Sequence, residues 1–145
     1  TPRLSSGSRH RDYAGVNTGF AFVPVTPCRL VDTRLANGTN GGPILTSGVT
    51  RNVQVRSRCG VPTTARAVAL TMTSVAPSAD GFCALWPSGF TYPGNSNLNF
   101  VANQAPTANF GIISLSTNTL DMSMVLGTAV AGTAHIVVDV LGHYH

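Results

Sequence analysis

Short runs of alternating apolar residues recur along this chain, and clusters of Gly, Pro, Asn and Ser separate them. The clearest is Arg66-Ala-Val-Ala-Leu-Thr-Met-Thr-Ser-Val75, which puts Val68, Leu70 and Met72 on one face of a strand. Further strands are expected at 28–34, 50–57, 82–86, 98–101, 108–116, 120–126 and 134–141, the last central and well buried. Turn-forming stretches at 36–43, 59–62, 76–81 and 127–132 fall between them. The 76–81 stretch, ending in Asp80-Gly81, reads as a hairpin connection. So does Thr117-Asn-Thr119, between the 108–116 and 120–126 runs. Strands at roughly 8–12-residue spacing specify a sandwich, jelly roll or barrel. The predicted fold is therefore all-β, a single sandwich or jelly-roll-like domain over residues 27–145. An extended arm over residues 1–26 precedes it.

The charge inventory supports this. Every one of the nine cations is arginine and every one of the five anions is aspartate. Lys and Glu, which favour helices, are absent. Charged residues make up only 10% of the chain, but 43% hydrophobic content excludes general disorder. The formal net charge of +4 does not point to nucleic acid, because the arginines are scattered and form no basic run. No apolar run reaches the ~20 residues of a membrane helix. The start at Thr1 is compatible with a processed N-terminus.

Residues 1–12 are polar, small and basic, the composition of a loose terminus or of a segment ordered by a partner. Residues 13–26 differ. Tyr13, Val16, Phe20, Phe22 and Val25 supply aromatic and β-branched side chains, while Pro24 and Pro27 confine any strand here to an edge, a bulge or a strand end. Such a strand can fold back on its own sheet or add to a neighbour's.

Several stretches together resemble a β domain found in secreted and surface proteins of bacteria, often at the C-terminus of longer chains. They are Thr26-Pro-Cys-Arg-Leu-Val-Asp-Thr-Arg34, Cys59-Gly-Val-Pro62, Ala67-Val-Ala-Leu-Thr-Met-Thr73, Leu85-Trp-Pro-Ser-Gly89, Ser96-Asn-Leu-Asn-Phe100 and His135-Ile-Val-Val-Asp-Val-Leu-Gly-His-Tyr144. The likeness covers about residues 22–145. It implies an extracellular location and no established catalytic activity. Cys83 departs from the pattern, which has an aliphatic residue there.

Cys28 and Cys59 flank the first loop and strand, each beside a turn, and are expected to form a disulfide. Reduced, buried thiols are the alternative. Cys83 reads as a small core residue. Alternation in 28–34 puts Cys28, Leu30 and Asp32 on one face and Arg29, Val31 and Thr33 on the other. Asp32, Arg34 and Asp139 stand in apolar strands, so an ion pair between Arg34 and one of the aspartates is expected.

Catalytic patterns are missing. His135 and Asp139 share a strand face but stand ~13 Å apart along it. No nucleophile elbow occurs, and no carboxylate pair suggests glycoside chemistry. His143 and His145 share a face without a visible third metal ligand. No cofactor, metal or enzymatic activity is expected. Asn37-Gly38-Thr39 is a glycosylation sequon in a surface loop. Trp86 and Tyr92, with Phe90, lie around Pro87-Ser-Gly89 and offer either core packing or a surface for sugar rings. Two functional expectations result. One is an extracellular subunit that polymerises with itself, head to tail, by donating its arm. The other is a carbohydrate-binding or adhesion module whose partners are glycans.

Overall fold

The computed structural model of the protein describes residues 19–117 and 120–145. Tyr13 and Val16 of the expected arm lie outside them. Nine strands form: β1 (Phe22–Asp32), β2 (Leu45–Thr46), β3 (Arg51–Val53), β4 (Ala67–Val75), β5 (Gly81–Pro87), β6 (Leu98–Phe100), β7 (Thr107–Ser114), β8 (Met122–Thr128) and β9 (Thr133–Tyr144). No helix occurs among the described residues.

The strands make two antiparallel sheets, in the orders β1-β9-β4-β7 and β3-β8-β5-β6, with β2 appended to β9. The pairings are nested: β1 with β9, β3 with β8, β4 with β7, β5 with β6. That is one long antiparallel ribbon folded at β5 and β6. Rolling it up brings β9 beside β4 and β8 beside β5. This is the jelly-roll arrangement, and it accounts for both sheets being antiparallel throughout.

Two expected hairpins do not form. β4 and β5 are successive but lie in different sheets, as are β7 and β8. The chain instead passes from one sheet to the other between β4 and β5 and again between β7 and β8. Ala76, at φ 50°, turns the chain out of β4 at the start of the first crossing. The expected strand at 50–57 is shortened to Arg51–Val53.

Alternation explains the core. Val68, Leu70 and Met72 of β4 point inward, as do Cys83 and Leu85 of β5, Met122, Met124 and Leu126 of β8, and Ile136, Val138 and Val140 of β9. All are buried in one continuous cluster. β9 is central, between β1 and β4, as its near-continuous apolar sequence requires. Burial pushes the Cys83 thiol up to about 12, so it stays protonated and acts as a small apolar residue.

β1 runs through the expected boundary between arm and domain at residue 26. Phe22, Val23 and Pro24 pair with Tyr144, His143 and Gly142 of the same chain, and Val25 packs against the core. Residues 22–26 therefore belong to the domain. Two register shifts, between Pro24 and Cys28 and between Arg29 and Val31, interrupt the pairing. The second breaks the simple alternation expected for 28–34. Leu30 and Val31 are both buried, while Arg29 reaches Asp32.

Candidate functional site

The N-terminal end of β1 gathers the features that the sequence singles out. Ala21 and His145 exchange both backbone hydrogen bonds, at 3.0 and 3.1 Å, so the chain is still extended as it leaves the sheet. Phe20, one residue beyond, is 57% exposed. Phe22 behaves differently. Its ring lies over Gly142, where an added Cβ would stand 2.3 Å from a ring carbon, and its centroid is 5.1 Å from that of Tyr144. Phe22 is thus anchored on its own sheet, and of the expected arm anchors among the described residues only Phe20 is left free of it.

The disulfide Cys28–Cys59 forms, with Cα atoms 5.5 Å apart. Ser57, Cys59 and Gly60 all take positive φ values, which curl the chain tightly enough to bring Cys59 back to β1. The turn then rests on the strand: Cys59 Sγ is 3.6 Å from the Arg29 carbonyl oxygen, and Val25 packs beside Gly60.

Arg34 pairs with Asp32, as expected, while Asp139 pairs with Arg29, which was not singled out. Arg34 donates to both Asp32 oxygens at 2.9 and 2.8 Å. Arg29 bridges Asp32 at 3.1 Å and Asp139 at 2.6 Å. Asp32 is buried, but the two guanidiniums above it are half exposed. The cluster is therefore an ionic cap on the outer face of the sheet, not an ion pair inside the core. Hydrogen bonds from Arg34, aided by its charge and by Arg29, hold the Asp32 carboxyl well below the usual carboxylate range.

The more deeply buried ion pair is Arg56–Asp121, at 2.6 Å, which the sequence reading missed. Asp121 also accepts the backbone N–H groups of Val55 and Arg56 at 2.7 and 2.8 Å. It ties the chain after β3 to the crossing before β8. A lone Asp between Leu120 and Met122, in a chain with so few charges, was the available signal.

His143 and His145 stack with centroids 4.9 Å apart and Nδ1 atoms 3.0 Å apart. His143 is buried. Burial and the neighbouring His145 lower its pKa. Among the described residues no group of three metal-ligating side chains occurs. His135 Nδ1 lies 3.0 Å from the Thr33 hydroxyl, not beside Asp139.

Trp86 is only 4% exposed, and its indole N–H donates to the Phe90 carbonyl at 2.8 Å. It forms no open platform. Tyr92 lies across it at 5.2 Å and stacks with Phe82 at 6.3 Å. These two rings line a shallow groove with Ser47, Gly48 and Val125. Asn37 is exposed in the 36–43 loop, whose carbonyls Arg51 gathers through Pro43 and Gly41, both at 2.8 Å.

These features define an all-β, disulfide-stapled jelly roll with an extended lead-in at one sheet corner. Comparison with protein-family models, with curated proteins and with solved structures finds no match, so the family likeness rests on the sequence motifs alone.

Proposed function

We propose that this chain is an extracellular structural subunit that polymerises head to tail, each copy donating residues 13–20 to the next. One observation carries the reading. The chain enters the sheet already extended, hydrogen-bonded through Ala21 at the last residue of the sheet's end, and presents Phe20 to solvent beyond it. Residues 13–20, which precede Ala21 in the sequence, include Tyr13, Val16 and Phe20 and contain neither a charge nor a proline. A neutral segment of this kind gains most by adding to another sheet. Donor-to-acceptor contacts are heterologous and propagate into rings or filaments. The disulfide fits an oxidising compartment, in keeping with secretion.

The test is electron microscopy of the full chain beside one lacking residues 1–20. Filaments from the first and monomers from the second support the reading. Filaments from both overturn it.

The groove between Tyr92 and Phe82 favours one second reading, a site for a sugar ring. Glycan binding by a monomer, lost in Tyr92→Ala, would establish that alternative. Trp86 is left out of it because its faces are covered.

A further inference from the structure

We propose that the outer edge of β7 is the acceptor for residues 13–20 of a second copy; this rests on the strand-donation reading above. The two strand orders end in β1, β7, β3 and β6, and the two-residue β2 adds a further, shorter edge. β3 and β6 have three residues each, too few to hold a donated strand. β1 carries Pro24 and Pro27, two register shifts and the stapled Cys59 turn. β7 differs on every count. Its eight residues, Thr-Ala-Asn-Phe-Gly-Ile-Ile-Ser, contain no proline and no charge, and they pair with β4 in unbroken register. Among the described residues no strand pairs with its other side.

Edges are ordinarily protected by charges, prolines, bulges or covering segments. β7 has none of these and exposes two large apolar side chains, Phe110 at 54% and Ile112 at 52%. The Leu115 N–H donates to the Arg66 carbonyl across the β4–β7 pair. Antiparallel alternation therefore turns the N–H groups of Phe110 and Ile112 away from β4. The edge offers both a row of backbone groups and an apolar face.

The chain supplies a matching strand. Residues 13–20 are uncharged and free of proline, and eight residues extend over about 26 Å, the same as the eight residues of β7. Val16, Thr18 and Phe20 alternate, so in a paired strand they fall on one face, where Phe20 and Val16 can lie beside Phe110 and Ile112. A copy cannot serve itself. Ala21 is fixed at β1, and the position outside β7 lies four strand spacings away, about 19 Å. Crossing that distance uses about six extended residues, leaving about two of 13–20 to pair.

The test mixes two full-length variants. Val16→Asp/Phe20→Asp spoils the donor and leaves the edge intact. Ile112→Pro removes one outward N–H of the edge, where proline is tolerated in a strand, and leaves the donor intact. Phe110→Lys/Ile112→Lys serves in its place if the proline variant does not unfold cooperatively. The expected result is that each variant alone sediments as a monomer and that the mixture sediments as a dimer, at twice the monomer mass. Filaments from the folded edge variant overturn β7 as acceptor and leave strand donation standing. A mixture of folded variants that stays monomeric overturns the pairing of this donor with this edge. Filaments from the donor variant, or a wild-type chain that stays monomeric, overturn strand donation itself.

Discussion

Arg34 and Asp32 meet through three hydrogen bonds: the Arg34 backbone N–H reaches one carboxylate oxygen at 3.0 Å, and its guanidinium reaches both oxygens at 2.9 and 2.8 Å. Arg29 adds a fourth bond at 3.1 Å and carries the network to Asp139 on β9. A buried carboxylate is thus neutralised from the solvent side. Asp32→Asn keeps the shape and loses the charge, and is expected to cost about 1.5–3 kcal/mol, the range for hydrogen bonds to charged groups. The Asp32 pKa is lowered by folding, so its contribution is present above the ordinary carboxylate range near pH 4 and is lost as pH falls below it. Urea unfolding of both proteins between pH 7 and pH 2 checks this. The gap between them should be full at pH 7 and shrink on the acid side.

The Cys28–Cys59 bond closes a sequence separation of 31 residues. Loop-closure entropy for that length is worth about 3–4 kcal/mol. The pair Cys28→Ser/Cys59→Ser is expected to lower stability by that amount, read as a shift of the urea midpoint with the slope taken into account. Cys83 cannot substitute, because it is enclosed in the core with its thiol protonated.

Some of this was legible in the sequence for simple reasons. Alternation over Val68, Leu70 and Met72 predicts an inward face, and all three are buried. The apolar run from Ile136 to Val140 predicts a central strand, and β9 is flanked on both sides. Cysteines beside two turns predict the disulfide that forms. What was not legible depends on distant pairing. Residues 117–119 look like a hairpin turn, yet β7 pairs with β4 and β8 with β3 and β5, because the nested ribbon outweighs adjacency in sequence. The bulge between Arg29 and Val31 has no local signature, so the Arg29 bridge was missed and Asp139 was left without its partner. Trp86 and Tyr92 look equivalent as aromatics, but Tyr92 lies over Trp86. The bare edge of β7 is invisible in its own sequence, since Phe110 and Ile112 read as ordinary strand residues.

The Nδ1 atoms of His143 and His145 are 3.0 Å apart, so a hydrogen bond between them needs a proton on one nitrogen and a lone pair on the other. Protonating both rings sets two N–H groups against each other. Folding lowers the His143 pKa through burial and then through His145. Its contribution is therefore present above the unfolded value near 6.5 and is lost as pH falls below it. The affected end of β9 also holds Ala21. Hydrogen exchange at Ala21 and His145 is expected to lose protection between pH 7 and pH 5, beyond the intrinsic pH dependence. His145→Gln should weaken that loss by removing the like charge.

Gly142 lies beneath the Phe22 ring, and an added Cβ would stand 2.3 Å from a ring carbon and 2.7 Å from the Val23 carbonyl oxygen. The backbone contact cannot be relieved by a side-chain rotation. Gly142→Ala is expected to lift the first residues of β1 off β9 at a cost of about 1–3 kcal/mol, the range for overpacking. Heat denaturation followed by circular dichroism measures the loss. The aromatic contact between Phe22 and Tyr144, with centroids 5.1 Å apart, should disappear from nuclear Overhauser spectra of the variant. Phe22→Leu is the companion measurement. A smaller side chain over Gly142 leaves room for the methyl group, so Phe22→Leu/Gly142→Ala is expected to recover part of the stability lost by Gly142→Ala alone, as contacting residues do when their effects fail to add.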